Sequence, residues 1–248
     1  MLSSYLDLVF APVCLGCDGP ITAGDRVRLI CRLCRVRLRP LPAPHCGRCG
    51  APLPRTGRAP GPVCGECGRW PPVIRAARSA CLLYPPADRL VHQLKYRGWR
   101  ALAEPMAERM AALSFPRDVE AEARLVVPVP TTAERERQRG YNQAELLARA
   151  YARRTGRALL HALRRGGGAT TQTVLQPAAR GANVAGAFSV REGEAPALAG
   201  AHVLLVDDVL TTGATAVECA RTLVATGARC VSVITFARAL DARRLTET

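Results

Sequence analysis

Two adjacent acids, Asp207 and Asp208, stand between a run of aliphatic residues and a turn built from Thr211, Thr212, Gly213, Ala214 and Thr215. The run at 203–206, VLLV, is the fully apolar kind of strand found inside a parallel sheet. Ligands in open α/β sheets bind at the carboxyl ends of such strands. A helix starting after the turn would aim main-chain N–H groups back at it, and three hydroxyls surround that point, which makes a cradle for phosphate. Gly213 would let the chain approach the anion closely. No lysine follows, so this is not the nucleoside triphosphatase loop. Two carboxylates repel a phosphate and need another partner. Sugar hydroxyls donate hydrogen bonds that carboxylates accept well, so the segment suits a ligand carrying both a phosphate and a vicinal diol, a ribose 5-phosphate. An Asp-Asp pair alone could merely cap a loop; the whole pattern of residues 203–215 carries the reading.

A second chemistry is written in the cysteines. Of eleven, eight form C-x-x-C pairs: Cys14 with Cys17, Cys31 with Cys34, Cys46 with Cys49, and Cys64 with Cys67. Each pair holds two thiolates on one side of a tight bend, and two bends close a tetrahedron around Zn²⁺. Redox or disulfide roles fit less well, because the spacers are rich in proline and no secretory signal is evident. Two structural zinc ions are expected, since all positions are cysteine and none is left for water. Sequential pairing (Cys14, Cys17, Cys31 and Cys34; Cys46, Cys49, Cys64 and Cys67) and a crossed arrangement are both open. His45 is a spare ligand nearby, read as an exposed loop residue. Cys81, Cys219 and Cys230 lie in apolar segments and read as small buried hydrophobes.

The elements that must position these groups come next. Residues 1–72 read as the zinc-binding module and residues 73–248 as an α/β domain, with Pro71 and Pro72 at the boundary. In the second part the expected strands are 76–84, 125–129, 158–164, 203–206 and 230–236. The expected helices are 87–113, interrupted near Gly98 and at Pro105; 142–154, with an apolar face at Ala144, Leu147, Ala148 and Tyr151; and 214–226, ended by Gly227. Strands alternating with helices imply a parallel sheet flanked by helices. Thr131 and Thr132 follow the strand that ends at Pro130, and Arg135, Arg137 and Arg139 follow in an arginine-rich loop suited to diphosphate oxygens.

The net charge of +15 suggests polyanionic partners. Eight thiolates on two zinc ions would reduce it to about +11. The basic residues are scattered, and Lys95 is the sole lysine. A compact ammonium there suits a phosphate or a leaving group. Residues 5–13 are apolar but short, contain Asp7 and have no basic residue before them, a poor signal peptide. No membrane insertion is expected, and the protein is read as cytoplasmic.

Residues 203–215 resemble the phosphoribosyl pyrophosphate motif of type I phosphoribosyltransferases. The whole chain is similar to ComFC-like members of the ComF family, which couple a double zinc ribbon to that fold. Further pieces are LKYRG at 94–98, VPVP at 127–130, RGYNQ at 139–143, and QTVL at 172–175 followed by Arg180, Asn183, Gly186 and Phe188. The resemblance implies that Asp207, Asp208 and Lys95 are catalytic. It implies that Val209, Thr211, Thr212, Gly213, Ala214, Thr215, Pro128, Val129, Thr131, Arg139, Arg180 and Asn183 hold phosphoribosyl pyrophosphate with Mg²⁺, the last two from a mobile loop. It also implies a link to DNA uptake, with single-stranded DNA and a DNA-uptake helicase as partners. Two functions follow: a phosphoribosyltransferase on an unidentified acceptor, or a non-catalytic single-strand-binding competence factor. No general base for an acceptor stands out in the sequence.

Overall fold

The computed structural model describes residues 12–53, 64–166 and 186–240. Arg180 and Asn183 lie outside them. In chain order the elements are α1 (Arg32–Arg37), β1 (Ile74–Leu82), α2 (Ala87–Tyr96), α3 (Ala103–Ala111), α4 (Arg117–Glu122), β2 (Leu125–Pro128), α5 (Ala133–Arg139), α6 (Gln143–Thr155), β3 (Ala158–Leu159), β4 (Leu163–Arg165), β5 (Phe188–Val190), α7 (Ala195–Leu198), β6 (His202–Leu210), α8 (Ala214–Ala225) and β7 (Cys230–Arg238). Five strands form one parallel sheet in the order β1-β7-β6-β2-β3, while β4 and β5 form a separate antiparallel pair.

Period-two alternation along β6 assigns the two faces of the sheet. Leu204 and Val206 pack on one side with Leu90 and Leu94 of α2, Met106 and Met110 of α3, and Leu147 and Tyr151 of α6. Val203 and Leu205 pack on the other with Ala216, Cys219, Ala220 and Leu223 of α8. The cysteine-rich segments divide the same way: Cys14, Ile30, Cys34 and Leu38 join the first face, and Cys46, Cys49, Cys67 and Trp70 join the second. They also close the outer edge of β1. Ala77 N–H donates to the Arg48 carbonyl at 2.8 Å and Leu82 N–H to the Arg39 carbonyl at 2.8 Å.

Several sequence expectations are corrected. Pro105 does not interrupt a helix; it lies in the first turn of α3, where its missing N–H has no intrahelical partner to lose. The interruption is confined to Gly98, at φ +74, and the short 3₁₀ turn after it. Residues 158–164 are not one strand but split between β3 and β4, in different sheets. The arginine-rich stretch is not a loop: Thr132 caps α5 by accepting from Arg135 N–H at 3.3 Å, and Gly140 ends it at φ +74. β6 and β7 run past their expected ends, so β6 carries both acids within the strand. Cys230 is half-buried rather than fully so, unlike Cys81 and Cys219.

Candidate functional site

The eight C-x-x-C cysteines gather sequentially. Cys14, Cys17, Cys31 and Cys34 form one cluster and Cys46, Cys49, Cys64 and Cys67 the other, with the sulfurs of each within 4.8 Å of one another. A tetrahedral ZnS₄ centre with Zn–S near 2.3 Å has sulfur–sulfur edges of about 3.8 Å. The Sγ separations Cys17–Cys31 (3.8 Å), Cys46–Cys67 (3.7 Å), Cys64–Cys67 (3.7 Å) and Cys49–Cys64 (3.5 Å) fit that geometry. Burial, then neighbouring sulfurs, push the Cys34 thiol well up. Burial opposes ionisation of Cys46 too, but N–H groups of Cys49, Cys64 and Arg48 outweigh it and bring that thiol to about 7. Thiolates this close need a cation among them, and four sulfurs per site fit structural zinc. His45 is exposed and belongs to neither cluster.

At the carboxyl ends of β6 and β2 a cleft of about 480 Å³ is lined by Asp207, Asp208, Val209, Thr211 and Thr215, by Val129, Pro130 and Thr131 after β2, and by Lys95 and Tyr96 of α2. A second pocket of about 240 Å³ is lined by Thr211, Thr212, Gly213, Ala214 and Thr215 and shares Asp207, Val209, Thr211 and Thr215 with the cleft. Pro128 stands apart from this wall, buried within β2 opposite Val206. Of the arginines, Arg135 and Arg139 lie one helical turn apart on α5 and face a neighbouring groove of about 530 Å³.

The two acids differ. Asp208 is buried, and its Oδ2 lies 2.9 Å from Lys95 Nζ, an ion pair whose angles fall outside hydrogen-bond geometry. Asp207 is half-buried at the cleft floor and accepts the Asp208 N–H at 2.8 Å. Burial first, then the charge of Asp208, push its carboxyl up to about 8, against the pull of that N–H and of Lys95. Such a carboxyl ionises readily only when a hydroxyl, cation or metal arrives to stabilise the charge.

The RGYNQ run is a knot behind the loop after β2. Tyr141 donates its hydroxyl to the Leu94 carbonyl, tying α2 down beside Lys95. Asn142 accepts from Ala144 N–H at 3.1 Å, capping α6, while its Nδ2 donates to the Val129 carbonyl at 3.0 Å. Arg139 donates to Gln143 Oε1 at 3.0 Å and lies over the Tyr96 ring at 4.8 Å.

Residues 5–68 match a double zinc ribbon domain, and residues 144–247 match a phosphoribosyl transferase domain. DNA utilization protein YhgH of Escherichia coli (strain K12) is 31% identical over 244 residues, covering 92% of this chain and 97% of that protein. Its counterpart in Salmonella typhimurium is 32% identical over 235 residues, covering 85% and 97%. The chain belongs to the ComF-like family of YhgH. Among solved structures, the glutamine phosphoribosylpyrophosphate amidotransferase of B. subtilis, complexed with ADP and GMP, aligns with TM-score 0.37 and 22% identity over 53% of this chain and 25% of that one.

This ComF-like cleft also holds residues to which the sequence reading gave no role. Asp88 and His92 line it together with Lys95, at positions one and two turns apart on α2, as do Gln143 and Arg165. The i, i+4, i+7 spacing of Asp88, His92 and Lys95 was a legible sign of a shared helix face. Gly213 is at φ +83, and a Cβ there would lie 2.5 Å from Trp70 Cζ2, so its absent side chain makes room for an indole, while the residue also lines the smaller pocket. Among the described residues no helix is long and apolar enough to cross a membrane.

Proposed function

We propose that the cleft binds phosphoribosyl pyrophosphate or a related pentose phosphate. The observation that carries this reading is the convergence of an acidic pair, a hydroxyl-rich turn at the start of α8 and the Val129–Thr131 loop on two pockets that share Asp207, Val209, Thr211 and Thr215. In this reading the turn amides and the hydroxyls of Thr211, Thr212 and Thr215 take the 5′-phosphate. Asp207 and Asp208 accept from the two ribose hydroxyls. Thr131, Arg135 and Arg139 meet the diphosphate, and Lys95 trades its pairing with Asp208 for a phosphate oxygen. Mg²⁺, when bound with the diphosphate, neutralises its developing charge; the raised Asp207 carboxyl is a group that such a cation would draw into ionisation. Given an acceptor, the reaction would be displacement of pyrophosphate from C1 of the ribose. Calorimetry of the zinc-loaded chain with phosphoribosyl pyrophosphate and Mg²⁺ tests the reading. Saturable heat that Asp207→Asn plus Asp208→Asn abolishes supports it, and absence of heat from any pentose phosphate sinks it.

A second reading rests on the groove beside the cleft, where Arg135, Gln138, Arg139 and exposed Tyr96 form a cationic wall with an aromatic face. Such walls suit single-stranded nucleic acid, and the relatives are named DNA utilization proteins. Salt-dependent binding of oligothymidylate that survives the double Asp→Asn change would favour a binding module over an enzyme.

A further inference from the structure

Trp70 follows the last cysteine pair and is buried, at 6% exposure. Its indole lies against the back of the phosphate turn. A Cβ on Gly213 would lie 2.5 Å from Cζ2, 2.8 Å from Cε2 and 3.0 Å from Nε1. Nε1 donates to the Thr212 carbonyl at 3.3 Å. Residues of the same turn line the smaller pocket, and Trp70 is not among the residues that line it.

Trp70 is itself clamped. Its N–H donates to the Cys67 carbonyl at 3.1 Å. Arg48, inside the Cys46–Cys49 bend, donates to the carbonyls of Cys67 (2.8 Å), Pro71 (2.6 Å), Ile74 (3.0 Å) and Trp70 (3.4 Å). The path from the second cysteine cluster to the turn is thus continuous in hydrogen bonds and packing.

We propose that Trp70 is a positioning residue for the phosphate turn, through which the second cysteine cluster fixes the turn's shape. The proposal rests on the pentose-phosphate reading of the cleft. A turn of threonine, glycine and alanine has few side-chain anchors of its own, and α8 begins without a side-chain cap at Gly213. Main-chain amides grip a phosphate only if they converge, and small displacements of positioning groups are costly. The indole supplies a rigid plane behind Gly213 and one donor to Thr212.

The test is calorimetry of the zinc-loaded full chain with ribose 5-phosphate, paired with hydrogen exchange over residues 211–215. Trp70→Ala should weaken binding about ten-fold and speed exchange in that segment, while retaining two zinc ions per chain. Trp70→Phe, which keeps a ring behind Gly213, should recover affinity to within about three-fold yet still exchange faster, having lost the donor to Thr212. Gly213→Ala should cost less in the Trp70→Ala background than alone, because the clash partner is gone. Wild-type affinity in Trp70→Ala, or strictly additive costs in that cycle, would overturn the proposal. If Trp70→Ala fails to fold, the Phe variant decides: unchanged exchange at 211–215 refutes the buttress. Wild-type protein that binds neither ribose 5-phosphate nor phosphoribosyl pyrophosphate fails the reading of the cleft itself, a result distinct from equal binding by wild type and Trp70→Ala.

Discussion

The first cysteine cluster and the second have the same ligand types and nearly the same spacing, 13 and 14 residues between their C-x-x-C pairs, but different neighbours. The first packs beneath α2 and α3 and is joined to them by an exposed Asp18–Arg89 ion pair and by Arg109 donating to the Leu38 carbonyl at 2.7 Å. The second reaches the cleft through Arg48 and Trp70. It is also held by Arg238, fully buried at the end of β7, which donates to the Cys49 carbonyl at 2.6 Å and pairs with Glu66. Identical metal chemistry can therefore serve as a local staple in one place and as part of a ligand site's framework in another. What separates the two roles is the polar and aromatic groups that leave the knuckle.

The sharpest way to break this comparison is to remove one ligand from each cluster. Cys67→Ser should lose one of two zinc ions, destabilise the chain by on the order of 5 kcal/mol or more, and abolish ribose 5-phosphate binding. Cys17→Ser should lose one zinc ion as well but leave affinity within about two-fold of wild type, since among the described residues no hydrogen bond links its cluster to the turn. Zinc analysis with calorimetry reads both, and equal losses of affinity would erase the distinction. Next in size, Arg238→Met removes the buried guanidinium that binds the Cys49 carbonyl and pairs with Glu66, and should cost about 3 kcal/mol in urea unfolding.

A third experiment separates the cleft from both clusters. The Asp207 carboxyl holds its proton up to about 8, against an ordinary value of 3.8. The folded state therefore binds that proton more tightly than the unfolded chain does. Its contribution to stability is complete below about pH 4 and is lost as pH rises through about 8. In ligand-free protein Asp207→Asn should flatten this decline and unfold at higher urea than wild type at pH 8, with zinc content unchanged; parallel pH profiles would contradict it. The smallest effect belongs to Arg89→Ala, which breaks only an exposed contact of the first cluster. Its melting temperature and ligand affinity should match those of wild type.

Much of the fold was legible because its signals are local. Apolar VLLV at 203–206, the Ala144, Leu147, Ala148 and Tyr151 face, and Gly227 after α8 each follow from period or punctuation. Pro105 misled because proline breaks a helix interior but is tolerated in the first turn, and the sequence did not reveal where that turn began. The stretch at 158–164 misled because apolar character does not tell which sheet a strand joins. In the site, the acids and the threonine turn were readable from one contiguous segment. Trp70 was not, since its partner Thr212 is 142 residues away, and nothing local distinguishes a tryptophan after a cysteine pair from a core residue. The same holds for Tyr141 and Asn142, whose work is to hold Leu94 and Val129.

The carbonyls of Arg39 and Arg48, bonded to the outer side of β1, have a consequence for how the molecule fails. They occupy donors that an edge strand of nine residues would otherwise offer to another chain. Chelation would then do more than loosen a small appendage: it would unseal the rim of the sheet, and the damaged protein would leave solution by strand-to-strand association before its centre melted.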